Sequence, residues 1–90
     1  MEHSSSVLVE PVDGHPGAYW LRWDQWVAEI DIRPAFHALT RALDEARAPV
    51  NVIVDLRANP HLPLQTTISE TISGPFLHRN MGRWLVVGSN

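Results

Sequence analysis

The chain reads as an α/β domain of two layers, a mixed four-stranded sheet in the order β-β-α-β-α-β with its helices mainly on one face. Three observations predict this. Apolar and polar residues alternate over Ala18 to Asp24, a three- and four-residue apolar period replaces the alternation over residues 32–47, and the β-branched run Asn51 to Leu56 follows directly. A hairpin and then two crossovers stepping in the same direction is the arrangement these periods require, and it leaves the other sheet face bare.

Each element has its own warrant. Residues 1–5 are small and polar and read as a flexible tail, with residues 6–90 as one domain. Val7 to Val12 is short and β-rich, and Asp13-Gly14-His15-Pro16-Gly17 supplies the turn. In the second strand Tyr19, Leu21 and Trp23 share one face while Trp20, Arg22 and Asp24 share the other. Asp31 is the expected N-cap of the first helix, over about 32–47, with Pro34 in its first turn and Phe36, Leu39, Leu43 and Ala46 as its apolar stripe. Ala48-Pro49 ends it. Asn51 to Leu56 is the strand expected of a buried sheet position, and Arg57 to Leu62 is a loop carrying Asn-Pro. Pro63 opens a second, short helix with Leu64, Ile68 and Ile72 as its stripe, ended by Gly74-Pro75. A further helical turn falls within 76–83, and Trp84 to Val87 is the fourth strand.

Composition narrows the function classes. Ninety residues make one domain, which at this size buries roughly 60–65% of its unfolded surface and gains from a partner. With 44% hydrophobic and 19% charged residues the chain is a folding one. A net charge of −3 and a pI near 5.9 argue against a nucleic-acid clamp. The absence of cysteine excludes disulfides, thiolate metal sites and a cysteine nucleophile. The N-terminus lacks a basic segment and no apolar run approaches the ~18–20 residues of a membrane helix, so a cytoplasmic protein without membrane contact is expected.

No catalytic pattern stands out. The five histidines, His3, His15, His37, His61 and His78, form no HExxH and no i, i+4 pair, so no metal is expected. GxSxG, GxGxxG and GK[ST] are all absent, which removes the backbone geometry of acyl transfer, dinucleotide binding and P-loop chemistry; the expectation is a non-enzyme without a cofactor. Asp24, Glu29 and Asp31 cluster at a strand-to-helix junction, where capping explains them. The privileged place is the crevice beyond the carboxyl ends of the parallel strands. Asp55, Arg57, Asn59 and His61 line it, and Gln65, Thr66 and Thr67 bring backbone N–H groups that favour an anion or phosphate, which makes all seven candidates for binding an anion or a partner. Against this stands the reading that Asp55 and Arg57 pair with neighbours and that Thr67 and Glu70 form a capping box. On the bare sheet face Trp20, Ile53, Trp84 and Val86 are the candidates for self-association.

The hairpin, the helix and then NVIVDLRANPHLPLQTT, with WLVVGSN as the last strand, resemble the STAS superfamily of sulphate-transporter and anti-sigma-factor-antagonist domains over residues 7–90. The resemblance implies a bacterial regulatory domain that docks a protein partner on the second helix and the loop before it. Two departures stand out. Pro63-Leu64-Gln65-Thr66 occupies the place of the family's Asp-Ser-Ser-Gly, so the usual phosphoacceptor serine is missing and Thr66 or Thr67 would have to replace it; and the final helix of the family has no counterpart before Asn90. The leading expectation is therefore a non-enzymatic interaction domain that also forms a homodimer. The alternatives are a small-ligand or lipid-binding module of related fold, and a small enzyme using His61 with Asp55.

Overall fold

The computed structural model describes residues 5–61 and 74–88. Among the described residues the strands are β1 (Val7–Pro11), β2 (Ala18–Trp23), β3 (Val50–Leu56) and β4 (Met81–Gly88), with the α-helix α1 (Glu29–Glu45) and a 3-10 turn at Pro75–Leu77. They form one sheet in the order β1-β2-β3-β4, antiparallel between β1 and β2 and parallel in the other two pairs. The mixed four-stranded sheet matches the sequence reading. The second helix, expected from Pro63 to Gly74, falls mostly on residues 62–73, outside the described residues. No described helix is long and apolar enough to cross a membrane.

The hairpin turn closes through Val12 N–H to the Ala18 carbonyl (3.0 Å) and Ala18 N–H to the His15 carbonyl (3.1 Å). Gly14 and Gly17 stand at φ 75° and 82°, a region L side chains rarely adopt. Alternation then sorts the strands into faces. Register places Val7, Val9, Leu21, Trp23, Val52 and Val54 on the face beneath α1. Ile32, Ala35, Phe36, Leu39 and Leu43 come down from the helix to complete the core. Phe36 stands edge-on to both Trp23 and Phe76, at 6.1 Å in each case.

The helix begins at Glu29 rather than near residue 32, and Asp31 is not its N-cap. Ala28 holds the cap position, where its own side chain can offer no acceptor. The start of β1 supplies the missing group: Ala28 N–H donates to Ser6 Oγ (2.9 Å), and the Ser6 hydroxyl and N–H both donate to Asp31 Oδ2 (2.8 and 2.9 Å). This is a capping box with a hydroxyl from another element inserted into it. Pro34 consequently sits inside the helix. Pro34 and Ile30 both lie on the exposed side, so the Ile30 carbonyl, which proline has no N–H to serve, is on the solvent side of the helix.

At the other end, no basic residue or glycine closes α1. Asn80 does so from beside β4, its Nδ2 donating to the carbonyls of Leu43 (2.8 Å) and Ala46 (3.2 Å). His78 Nδ1 accepts the Asn80 N–H, so its Nε2 carries the proton given to Asp44 at 2.6 Å. His78 thus braces the helix end.

Between β3 and β4 the register slips. Val50 faces Met81 but Val52 faces Trp84, so β4 carries one extra residue at Gly82-Arg83. Asn51 Oδ1 accepts the Arg83 N–H at 2.9 Å and fixes the bulge. A Cβ at position 82 would stand 2.7 Å from Asn51 Oδ1 and 3.1 Å from the Val50 carbonyl oxygen, which is why glycine is there. Without the extra residue Trp84 would face Ile53. With it, Trp84 and Val86 share the helix face with Val52 and Val54, while Leu85 and Val87 join Ile53 and Asp55 on the reverse face.

The sequence grouping of Trp20, Ile53, Trp84 and Val86 as one patch is corrected accordingly. Trp20 and Ile53 are neighbours on the reverse face; Trp84 and Val86 are on the opposite side, where Trp84 meets Phe76 edge-on at 5.4 Å. A one-residue bulge inverts every side chain beyond it, and residue types alone do not announce one.

Candidate functional site

The carboxyl ends of β2 and β3 lie side by side because the two strands are parallel, and the segments that leave them meet. After β3 the chain turns through Leu56–Asn59, closed by Asn59 N–H to the Leu56 carbonyl (3.0 Å), with Asn59 in the left-handed region at φ 55°. Asparagine tolerates that conformation better than most residues. The turn delivers His61 beside Gln25 and Trp26, which follow β2. His61 N–H donates to the Gln25 carbonyl at 2.9 Å, and a parallel bridge joins Trp26 to His61. The imidazole and indole rings stack at 4.6 Å with 10° between their planes. The result is a braced aromatic platform on which Trp26 remains 71% exposed.

A second cluster lies on the reverse face at the same end of the sheet. Asp55 is buried, and both of its oxygens are engaged. Oδ1 accepts from Arg57 N–H (3.1 Å) and Nε (2.9 Å), and Oδ2 accepts from Arg57 Nη2 (2.8 Å) with Arg22 Nε at 3.9 Å. The side-chain bonds from Arg57 hold the Asp55 carboxyl down at about 2, against the opposing effect of burial; the Arg57 backbone bond and the two cationic charges add to the lowering. The guanidinium carbons of Arg22 and Arg57 stand 4.7 and 5.8 Å from the centre of the Trp20 ring. Two cations and one anion thus form a network around an indole.

Of the crevice residues, Asp55 and Arg57 are joined directly, Asn59 shapes the turn, and His61 turns to Trp26. Gln65, Thr66 and Thr67, with Glu70, lie outside the described residues. The contacts that engage His61 and Asp55 are separate ones, to Trp26 and Gln25 in one case and to Arg57 and Arg22 in the other. No group of three or more metal-ligating side chains gathers among the described residues. Trp26 is the residue the sequence reading missed. It sits in Asp24-Gln25-Trp26-Val27, between two periods and belonging to neither, and a large aromatic in such a connector is the signal that was there to find.

Elsewhere an open groove of about 680 Å³ runs between the hairpin turn and the last turns of α1, lined by Pro16, Tyr19, Ala38, Ala42, Ala46 and Pro49 among others. Trp23 Nε1 is buried without a hydrogen-bond partner among the described residues. Comparison of the chain with known protein families, with curated proteins and with solved structures finds no match to any of the three.

Proposed function

We propose that this chain is a non-enzymatic interaction domain that docks a protein partner at the carboxyl end of its parallel strands. The observation that carries the reading is the Trp26–His61 platform. An indole left 71% exposed normally costs solubility, yet here a backbone hydrogen bond and a ring stack hold it in one orientation. A rigid exposed tryptophan is the residue type that most often anchors a protein interface, because little rotamer freedom remains to be lost on binding. The Arg22–Asp55–Arg57 network, at the same end of the sheet, suits a polar rim. The STAS resemblance supports a regulatory role, with a leading hairpin, a helix, and a strand ending in Asp55-Leu56 before the docking loop. A cytoplasmic setting belongs to the same reading.

The alternative, a small-ligand or lipid module, is favoured by the groove between the hairpin turn and α1, whose apolar lining is edged by Arg41, Glu45 and Arg47. Native mass spectrometry of the chain purified gently from its own cell extract separates the two. A protein retained by the wild type and lost from Trp26→Ala, with Arg33→Ala as an exposed control on α1, supports docking at the platform. A bound small molecule that survives Trp26→Ala, with no protein retained, overturns it in favour of the groove.

A further inference from the structure

A strand at the edge of a sheet presents a row of unpaired N–H and C=O groups, and natural edges are shortened, charged or interrupted to keep other strands away. β4 has none of these protections along its outer half. It is eight residues long, and its one charged residue, Arg83, belongs to the bulge. Beyond the bulge come Trp84, Leu85 and Val86, exposed by 55%, 61% and 49%. Both faces of this edge are apolar, since Trp84 and Val86 lie on one side and Leu85 and Val87 on the other.

We infer that the β4 edge pairs with β4 of a second copy of this chain, antiparallel and centred on Leu85. The pattern of the strand selects that occupant. Antiparallel pairing about Leu85 sets Trp84 against Val86 twice, an aromatic against a β-branched residue on the same face, and sets Leu85 against its own counterpart. Arg83 falls opposite Val87 and Gly82 opposite Gly88, so no charge meets its like. The two Arg83 side chains end about 13 Å apart along the strands, beyond a Debye length of about 8 Å at physiological salt. Parallel pairing in register would instead stack Arg83 on Arg83. The antiparallel two-fold keeps the helix layers of both copies on one side of the joined sheet. It also runs the reverse-face row Trp20, Ile53, Leu85 into its mate, giving an unbroken line of six apolar side chains. This inference is independent of partner docking at Trp26, which lies at a different part of the molecule.

The pairing is an edge contact with a few side chains on each face, so it belongs among small, transient interfaces and a dissociation constant on the order of micromolar is expected. Sedimentation velocity of the full chain over a concentration series reads it. The wild type should pass from monomer to dimer. Leu85→Lys and Leu85→Glu should each weaken association at least tenfold, and an equimolar mixture of the two should restore it. Circular dichroism checks that each variant is folded. A wild type that stays monomeric at the highest concentration overturns the inference, as does a dimer indifferent to Leu85→Lys. A readout that does not depend on those variants uses the absence of native cysteine. Leu85→Cys should cross-link to itself on mild oxidation, because opposed strand positions fall within disulfide reach, whereas Arg83→Cys should not. Equal cross-linking of both, or of neither, overturns the register.

Discussion

The two edges of this sheet are built on opposite plans. β1 is five residues long and ends in Pro11, which has no N–H to offer a neighbouring strand. Its beginning is tied down by contacts from elsewhere in the chain: the Ser6 carbonyl accepts the Asp24 N–H at 2.9 Å, Ser6 bonds Asp31 and Ala28, and Val7 is buried under α1. β4 is longer, has no proline, and from its bulge onward carries four consecutive exposed residues, Arg83 to Val86. The lesson is that an edge is closed by what the tertiary structure brings to it. Both strands are apolar in composition, but among the described residues it is β1 that receives a cap.

The most damaging test acts on the residue that both halves share. Phe36→Ala removes the ring standing between Trp23 and Phe76, and should cost about 3–5 kcal/mol in urea unfolding, with loss of the near-ultraviolet signal from Trp84 as Phe76 is released. A small cost would mean that the β4 half packs independently of the helix.

Ser6→Ala is the direct test of the closed edge. It strips two hydrogen bonds from the buried side of the Ala28–Asp31 turn and should cost about 1–3 kcal/mol, with faster amide exchange at Ala28. The open edge should be indifferent: Leu85→Ser should change monomer stability by less than about 0.5 kcal/mol. Reversal of these two results would break the comparison.

Asp55 gives the pH dependence. Folding holds its carboxyl at about 2 against 3.8, so its contribution is complete above about pH 4 and is lost as pH falls through about 2. Allowing for the exposure of Arg57, this amounts to about 1–2 kcal/mol at neutral pH. Asp55→Asn should lose that amount and flatten the acid limb of a stability profile followed by tryptophan fluorescence.

Gly82→Ala sharpens the account of the bulge. A Cβ there must displace Asn51 Oδ1 and crowd the Val50 carbonyl, for an expected cost of about 1 kcal/mol and a disturbed Arg83 amide in a heteronuclear NMR spectrum. An unperturbed Arg83 amide would mean that Asn51 does not hold the register.

Much of the fold was legible in the residues. The alternation Tyr19, Leu21, Trp23 names the buried face of β2 correctly, Asn51 to Leu56 reads as an interior strand where β3 spans Val50–Leu56, and the stripe Phe36, Leu39, Leu43 marks the inner side of α1. The helix start was not legible, because its cap comes from Ser6, 22 positions away from Ala28. Nor was the platform, since Trp26 meets His61 only after two parallel strands have brought their ends together. Asp55 and Arg57 are two residues apart, and their pairing could be anticipated as one of two readings; the indole of Trp20 beside them could not.

The sequence by itself determined which segments are strands and which is helix, because period two and period 3.6 are properties of neighbouring residues. Tertiary structure alone decided which way β4 faces. A strand's sidedness depends on the parity of its register with the next strand, and here a side chain reaching across from Asn51 adds one residue to β4 and inverts that parity.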